Sequence, residues 1–386
     1  RPALEQSNQG VFFGNTLYLK SYRRMQPGLN PEIEMGRFLT EESPFSHAAP
    51  VAGALEYERD DGTVIALALL SGYVENQGNG WDYAVDYLRR SFEASVADAV
   101  PATVEEEPGS QHAGFLSLIG TLARRTAELH RALARTTGNP AFDAESISEA
   151  DIDAWTRQTA DELALTLELL ESRRGALPEN LHAPADQLLA ARTALDEYVR
   201  SLLPAAIEAA KTRYHGDYHL GQVLLTENDF VIVDFEGEPA RPLAERRAKH
   251  SPLRDVAGML RSFNYAAAFA LRHHGEAPAG ERATIEPHLE GWERETAAAF
   301  LQVYRETIGD CASYPRDEEQ ARRLVALFTL EKALYELRYE INNRPDWVAV
   351  PLGALVRLAQ VITENGTAQV PQQNDVIAKI ADEGNV

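Results

Sequence analysis

The sequence predicts a mixed α+β protein with a small β-rich N-terminal lobe and a large, mainly helical C-terminal lobe. Residues 1–75 contain short runs of β-branched and aromatic residues separated by Gly, Asn and Asp, a pattern typical of hairpins. Across residues 76–363, apolar residues recur at helical spacing, interrupted by one hairpin segment at 215–239. Residues 364–386 are polar and are expected to form a tail.

The N-terminal lobe is expected to contain two hairpins and one helix. The turns are predicted at residues 14–15 and 60–62, where Gly, Asn and Asp tolerate the required backbone conformations. Asn30 followed by Pro31 predicts a helix start, because Asn caps the first amides and Pro fits the first position. The glycine-rich segment 72–80 is interpreted as a hinge between the lobes. The predicted strands are 10–13, 17–22, 51–58 and 64–70, and the predicted helix is 31–39.

The C-terminal lobe is expected to consist of long amphipathic helices around one hairpin. The hairpin strands are predicted from the apolar and β-branched residues Val223, Leu224, Val231 and Ile232, with a turn at 227–229. The predicted helices are 81–97, 114–135, 148–172, 183–211 with internal breaks, 252–273, 284–307, 316–343 and 351–363, and the predicted hairpin strands are 222–226 and 230–234.

Two acids and an amide flank this hairpin. Residues 215–222 read His-Gly-Asp-Tyr-His-Leu-Gly-Gln, and residues 234–238 read Asp-Phe-Glu-Gly-Glu. Both loops open at the same end of the hairpin, so Asp217, Gln222 and Asp234 are expected to converge. An Asp followed five positions later by an amide, and then by an Asp-Phe pair, matches the spacing of a kinase catalytic loop.

Phosphoryl transfer requires residues of these types, because the protein mainly positions the reactants and neutralises charge. Asp217 is predicted to take the proton of the acceptor hydroxyl, while Gln222 and Asp234 are predicted to hold Mg²⁺ through oxygen atoms. A β-rich lobe followed by a helical lobe with acids on a hairpin is the layout of a protein-kinase-like bilobal fold. Alternatives are an ordinary surface turn, and a zinc site at His215, Asp217 and His219, for which no cysteine or third histidine lies nearby.

Lys20 lies on a predicted strand and is interpreted as the residue that holds the α- and β-phosphates of ATP. In kinases such a lysine pairs with a glutamate on a helix. Glu34 is the preferred partner, and Glu32 remains an alternative because so short a helix does not show which face points inward. Ser7 and Asn8 precede the first strand and are expected to contact the phosphates through backbone N–H groups. A solvated lysine on an edge strand is the competing interpretation.

The composition of the chain limits the classes of molecule that it is expected to bind and the compartment in which it is expected to lie. The 386-residue chain has 37 basic and 59 acidic residues and a formal net charge of −22, which disfavours nucleic acid and anionic membranes. No run of 18 apolar residues and no signal peptide is visible, so no membrane span is expected. The single cysteine, Cys311, fits a reducing cytoplasm. The chain begins Arg1-Pro2 without Met, and we expect a fragment whose upstream part is missing.

Longer motifs make the chain similar to the bacterial maltokinases, which also occur fused to trehalose synthase. The resemblance implies a fold like that of aminoglycoside phosphotransferases, and ATP-dependent phosphorylation of maltose to maltose 1-phosphate for α-1,4-glucan synthesis. It implies trehalose synthase as a fused or associated partner. Gln222, where relatives with other acceptors carry Asn, fits this family. The motifs that carry the resemblance are 5–8, 30–39, 78–81, 215–222, 234–239, 245–247, 251–263 and 331–340.

The family pattern is incomplete at the start of this sequence. Maltokinases carry an N-terminal cap domain ahead of the segment that corresponds to residues 5–8. Here the cap domain and the first strand of the nucleotide lobe are absent from the sequence. We therefore expect residues 1–75 to form a partial nucleotide-binding lobe, truncated at its start.

The sugar is expected to lie against the helix that contains Glu331, Tyr335 and Tyr339. Their spacing of four residues places a carboxylate and two aromatic rings on one stripe, which suits a disaccharide. Core packing of the two tyrosines is the alternative. Arg254 and Asp255 are expected to brace the catalytic loop rather than contact sugar.

Two other functions remain open from the sequence. One is a kinase of the same fold that acts on an aminoglycoside or a small amino alcohol, whose positive charge suits an acidic protein. The other is a non-catalytic module of a trehalose synthase fusion, against which the intact acids of the hairpin loops argue.

Overall fold

The N-terminal lobe is a four-stranded antiparallel sheet with one helix packed against it. A computed structural model describes residues 8–97, 112–273 and 279–365. The elements of the lobe are β1 (Asn8–Phe13), β2 (Leu17–Tyr22), α1 (Pro31–Glu41), β3 (Val51–Glu58) and β4 (Val64–Gly72). The sheet order is β1-β2-β4-β3, with every neighbouring pair antiparallel. These elements confirm the predicted ones, with ends that differ by at most two residues.

Helix α1 begins at the predicted residue because Asn30 caps it. The Asn30 Oδ1 atom accepts hydrogen bonds from the backbone N–H groups of Glu32 at 2.9 Å and Ile33 at 3.2 Å. Ile33 packs in a small core beneath the sheet, whereas Phe38, further along the same helix, belongs to the main core of the protein. The helix therefore contacts both lobes.

The C-terminal lobe is built from long helices around the predicted hairpin. Its strands are β5 (Glu145–Ser146), β6 (Ala210–Lys211), β7 (Val223–Thr226) and β8 (Asp229–Ile232). Its helices are α2 (Gly80–Ala97), α3 (Ala113–Leu133), α4 (Glu149–Arg173), α5 (His182–Ala190), α6 (Arg192–Leu202), α7 (Leu243–Arg246), α8 (Leu253–His273), α9 (Ala279–Ile308), α10 (Glu318–Asn343) and α11 (Ala349–Asn365). Short 3₁₀ turns occupy 174–176, 179–181, 220–222 and 345–347.

The hairpin is shorter than predicted at its open end, where β7 begins at Val223 and β8 ends at Ile232. Strand β8 ends at Ile232, because Asp234 adopts a left-handed conformation with φ of 68° and cannot continue a strand. The turn has two residues rather than three, and Glu227 within it has φ of 58°. The consequence is that the Asp234 side chain is turned out of the hairpin.

The helical segment predicted at 183–211, with internal breaks, is confirmed as far as Leu202 and is wrong beyond it. The structure has α5 and α6, followed by the short strand β6, which pairs with β5. The helix ends at Leu202 because Pro204 cannot supply the N–H group that a continuing helix needs. Helical periodicity in the sequence did not reveal a two-residue strand whose partner lies more than 60 positions away.

One helical stretch in the described part of the chain, 345–364, has the length and apolar composition of a membrane span. The sequence analysis expected no such segment. Leu352, Leu355 and Ile362 within it are at most 2% exposed, and α11 packs against α5, α6 and α10. Burial in the core of the C-terminal lobe therefore accounts for its composition.

Candidate active site

The loop at 215–222, predicted to be catalytic, is held in place by the carboxylate of one buried residue. The Asp255 side chain, in the first turn of α8, accepts the backbone N–H of His215 at 2.8 Å and that of Gly216 at 2.9 Å. The His130 ring lies 3.2 Å from the same carboxylate. Gly216 has φ of 85°, and an added Cβ would lie 3.2 Å from Gly237 Cα, so the loop needs glycine there. The predicted bracing role of Asp255 is confirmed.

Asp217 extends from this loop into a small cavity beside α10. Its Oδ1 atom lies 3.7 Å from Lys332 Nζ, and its Oδ2 atom lies 4.0 Å from His219 Nε2. Burial lowers the pKa of Lys332, but the charges of Asp217 and Glu238 outweigh burial and raise that pKa above its usual value. A cation therefore stands beside the predicted base. Lys332 was not predicted from the sequence as a site residue, although it directly follows Glu331, which was.

Lys20 occupies the cleft between the lobes, where three carboxylates meet. Its Nζ atom lies 2.8 Å from Glu32, 3.5 Å from Glu236, and in closer contact with Asp234. Burial disfavours the ammonium, but the three carboxylates together raise the pKa of Lys20. The lysine is therefore positively charged at neutral pH and links the sheet, α1 and the loop after β8.

The preferred pairing of Lys20 with Glu34 is wrong, and the alternative partner, Glu32, makes the contact. Residues two positions apart on a helix point in opposite directions, so only one of the two glutamates can face β2. Glu34 faces the C-terminal lobe instead and binds Arg213 and Arg247. The sequence could not decide between them because α1 is short and carries apolar residues on both sides.

The two predicted metal ligands lie next to each other. Gln222 Nε2 donates a hydrogen bond to Asp234 Oδ2 at 2.9 Å. The Lys20 charge outweighs burial and lowers the pKa of Asp234, so its carboxylate is ionised. No group of three or more His, Cys, Asp or Glu residues suited to a metal is found among the described residues. The Asp234 carboxylate, together with the Gln222 amide turned so that its oxygen faces the site, would suit Mg²⁺, which keeps waters and phosphate oxygens as its other ligands.

A cavity of about 500 Å³ opens above these residues, between the sheet and the hairpin. Lys20, Gln222 and Asp234 lie at one end of it. Apolar and aromatic side chains form its walls, and the sequence analysis had not identified them. These wall residues include Phe12, Tyr18, Leu69, Tyr73, Leu224 and Ile232. Cavities for small molecules commonly have this size and this mixture of apolar walls and few polar groups.

Asn8 and Ser7 were predicted to contact phosphates. Asn8 lies at the start of β1, and its Nδ2 atom donates a hydrogen bond to Glu236 at 3.2 Å. Ser7 lies outside the described residues. The proposed backbone contacts of this segment with phosphate stay a prediction.

The cavity around Asp217 is smaller, about 50 Å³, and is lined mainly by polar residues. Glu331 and Tyr335 lie in its wall, as the sequence analysis expected of a sugar site. Tyr339 does not line it; this ring is 43% exposed and stacks near Arg344. The charged residues that line the cavity are Asp217, Glu238, Arg241, Arg254, Asp255, Glu331 and Lys332.

Glu331 is already paired within the protein. Its Oε1 atom accepts hydrogen bonds from Arg254 at 2.5 Å and from Arg241 and Gln158, both at 3.3 Å. Arg254 therefore braces the cavity wall rather than the catalytic loop. By contrast, Glu238 lies beside Arg241 and Tyr335, and these partners together with Lys332 outweigh burial and lower its pKa.

Glu32 gives a testable dependence of stability on pH. Burial, with the nearby charges of Asp234 and Glu236, raises the pKa of Glu32 to about 7 against the attraction of Lys20. A carboxyl whose pKa is raised on folding binds a proton more readily in the folded state. Its stabilising contribution is therefore complete below the unfolded pKa of about 4.3 and is lost as the pH rises through about 7.

We expect the free energy of unfolding to rise by about 1 kcal/mol from pH 8 to pH 6 through Glu32 alone. Glu32→Gln removes this group, so chemical denaturation of both proteins at the two pH values isolates its contribution. An equal pH response of the two proteins would show that Glu32 keeps an ordinary pKa.

Comparisons with known proteins find a matching family model and related sequences. The description of the family model that matches residues 1–238 is "Phosphotransferase enzyme family" (APH). A glucosamine kinase from Streptacidiphilus jiangxiensis is 29% identical over 290 residues, which are 74% of this chain and 56% of that protein. A glucosamine kinase from Mycolicibacterium smegmatis is 28% identical over 361 residues, which are 92% of this chain and 78% of that protein. The chain therefore spans little more than half the length of the first relative.

The fold also matches solved structures. The structure titled "Glucosamine kinase in complex with glucosamine, ADP and inorganic phosphate" gives a TM-score of 0.65 at 23% identity, covering 91% of this chain and 76% of that one. A second glucosamine kinase structure, crystal form B, gives a TM-score of 0.67 at 22% identity, covering 92% of this chain and 76% of that one. At these identities the likeness shows the fold alone. It confirms the predicted kinase-like arrangement of a small β-rich lobe and a larger helical lobe.

Proposed function

The chain belongs to the phosphotransferase enzyme family, and from that premise we propose that it transfers the γ-phosphate of ATP to a hydroxyl group of a small amino sugar. The observation that carries the proposal is that one loop serves two cavities. Gly216 and Asp217 line the small polar cavity, while Gly221 and Gln222, at the other end of the same loop, line the large one. A donor and an acceptor bound in these cavities would meet at the loop.

The nucleotide would occupy the large cavity. The apolar walls of this cavity suit the purine ring of the nucleotide, and Lys20 lies at the end where the phosphate chain would pass. The solved glucosamine kinase with ADP in its title supports a nucleoside triphosphate as donor. Mg²⁺ held by Asp234 and Gln222 would neutralise charge on the transferring phosphate. Use of ATP also favours a cytoplasmic location, which is part of the same proposal.

Asp217 is the proposed general base. Its carboxylate accepts the proton of the acceptor hydroxyl as the acceptor oxygen bonds to phosphorus and the bond to the leaving oxygen of ADP breaks. Lys332 Nζ lies 3.7 Å from Asp217 Oδ1 and places a positive charge beside the proposed base. Asp255 holds the backbone of the loop through His215 and Gly216, so the base has a defined position.

Three features favour an amino sugar as acceptor. The cavity volume of about 50 Å³ holds roughly four waters at ~10–15 Å³ each, which is closer to one sugar ring than to two. Glu331 is neutralised by two arginines, whereas Asp217 and Glu238, which also line the cavity, each lie near one cation of their own, Lys332 and Arg241. These two carboxylates are the groups that an ammonium group of the acceptor would meet. Both curated relatives named above are glucosamine kinases.

Maltose is the second candidate acceptor. The maltokinase-like motifs support it, and one structural feature favours a second ring. Tyr335 in the cavity wall stacks with the exposed Tyr339, with ring centroids 6.3 Å apart, so aromatic surface continues outward from the cavity. A trehalose synthase partner rests on the maltokinase resemblance alone and is not part of the proposal.

The acceptor is tested with the full chain, Mg²⁺ and ATP in a coupled assay of ADP release. We expect kcat/KM for glucosamine to exceed that for glucose by about 10-fold or more, because the ammonium adds a charge-assisted contact. N-Acetylglucosamine is the matched control, since it keeps the ring but lacks the charge. EDTA should abolish turnover and added Mg²⁺ should restore it.

Phosphorus NMR of the product then identifies the hydroxyl that receives the phosphate. A preference for maltose over glucosamine would replace the first candidate with the second. No turnover with glucosamine, maltose, choline or kanamycin would favour the non-catalytic module.

A further inference from the structure

Glu34, which does not pair with Lys20, is the centre of a contact between the lobes. Its two carboxylate oxygens accept hydrogen bonds from Arg247 Nε and Nη2, both at 2.8 Å. Arg213 Nη1 donates a third hydrogen bond at 2.9 Å. The bidentate arrangement is the strongest geometry available to an arginine and a carboxylate. We call these three residues the Glu34 cluster.

Both arginines belong to the C-terminal lobe, close to the catalytic loops. Arg213 precedes His215, the first residue of the catalytic loop, by two positions. Arg247 directly follows α7 and is adjacent to Arg246, whose Nη1 donates a hydrogen bond to the backbone oxygen of Glu236 at 3.0 Å. The cluster therefore joins α1 to the residue just before the first loop, Arg213, and to a segment that follows the second loop and contacts it through Arg246.

Ring contacts strengthen the same junction. The Arg213 guanidinium lies 5.0 Å from the Phe142 ring centre, and Phe142 stacks on Phe38 of α1 with centroids 3.9 Å apart. Arg213 is 1% exposed, so its charge depends on Glu34 for compensation. Packing as well as charge therefore stabilises this junction.

The opposite side of α1 carries the contact to Lys20. Glu32 and Glu34 are two positions apart and therefore project to opposite sides of one 11-residue helix. A rotation or shift of α1 that breaks the Glu34 contacts would also move Glu32. We propose that the Glu34 cluster positions α1, and through it the Lys20–Glu32 pair, against the C-terminal lobe; this inference rests on the proposed kinase function.

The cluster thereby determines how Lys20 divides its contacts. With α1 in place, Lys20 is shared by Glu32, Asp234 and Glu236. If α1 moved away, Lys20 would lose its partner on the helix and pair with Asp234 and Glu236 alone. A lysine held by Asp234 competes with the proposed metal for that carboxylate and is less available to phosphate. Glu34 and its arginines are thus positioning residues that contact neither substrate.

The decisive variant is Arg247→Gln, because Arg247 is 31% exposed and its loss leaves the Glu34–Arg213 pair to satisfy the buried charge. The matched control is Arg37→Gln. Arg37 also lies on α1 and forms an ion pair, at 3.0 Å to Glu56, but that pair stays within the N-terminal lobe and Arg37 is 46% exposed. Arg247→Lys keeps the charge but loses the bidentate geometry, and an intermediate effect is expected.

Three quantities are measured on the full chain. Hydrogen exchange of peptides from α1 should accelerate about 10-fold in Arg247→Gln, the change expected on loss of one charge-assisted pair. The dissociation constant of ADP with Mg²⁺ and the KM for ATP should rise about 5- to 20-fold. The KM of the acceptor should stay within about twofold, since the acceptor cavity does not include Arg247.

The inference is overturned if α1 exchanges equally fast in Arg247→Gln and Arg37→Gln. It is also overturned if exchange accelerates while ADP binding stays unchanged, because α1 would then move without affecting Lys20. Failure of the proposed function looks different: no acceptor is phosphorylated by the wild-type protein, while Arg247→Gln still accelerates exchange and weakens ADP binding.

Discussion

Replacing Asp217 with Asn is expected to lower kcat about 10³-fold or more while leaving ADP binding within about twofold. A positioned general base typically contributes 10²–10⁴ in rate, and an amide cannot accept the proton. Asp217 lies in the small polar cavity and not among the residues that line the large cavity proposed for the nucleotide, so donor binding should be preserved. Coupled assays for kcat and calorimetry for ADP measure the two effects.

Asp310→Asn is the matched control for Asp217→Asn, since Asp310 is fully exposed and the same atoms change. Its kcat should equal that of the wild-type protein. Retention of more than a tenth of the activity by Asp217→Asn would contradict the assignment of the base. His219, whose Nε2 atom lies 4.0 Å from the Asp217 carboxylate, would then be the next residue to test.

Replacing Asp255 with Ala is expected to have the largest effect on stability. The substitution removes the acceptor of two backbone N–H groups and the partner of the His130 ring, in a site where Asp255 is 2% exposed. Breaking such a buried charged interaction costs about 3–5 kcal/mol of unfolding free energy. Activity should fall as well, because His215 and Gly216 carry Asp217 on the same loop.

Asp255→Asn should be almost as damaging as Asp255→Ala, because both carboxylate oxygens accept an N–H group and an amide offers only one acceptor. Asp196→Ala is the control; Asp196 forms an exposed pair with Arg200 within one helix, and its loss should change stability by less than about 0.5 kcal/mol. Chemical denaturation measures all three variants. A loss below about 1 kcal/mol for Asp255→Ala would show that the loop does not depend on this carboxylate.

Local sequence patterns predicted most of the architecture. Asn30 and Pro31 mark the start of α1 because a helix cap involves residues only two or three positions apart. The hairpin was predicted from β-branched residues on both sides of a polar turn. Gln222 and Asp234 meet because a short hairpin brings its two ends together. Each of these features depends on neighbours in the sequence, so the sequence alone was sufficient.

The predictions that were wrong or incomplete concern contacts between residues that lie far apart in the sequence. The partner of Lys20 depends on which side of α1 faces β2, and that side is decided by packing and by Arg213 and Arg247, about 180 and 210 positions beyond Glu34. Lys332 reaches Asp217 only because α10 crosses behind the catalytic loop. The exposed position of Tyr339 likewise follows from how α10 packs, not from its spacing to Tyr335.

Local sequence patterns specify the two-lobed architecture and the residue types of the loop at 215–222, because these depend on short-range periodicity, turns and caps. Tertiary structure alone decided that Glu32 rather than Glu34 binds Lys20, that two arginines neutralise Glu331, and that a lysine stands beside Asp217. These pairings join side chains separated by many residues. Their selection depends on how helices and sheet pack together, which no local pattern in a single sequence encodes.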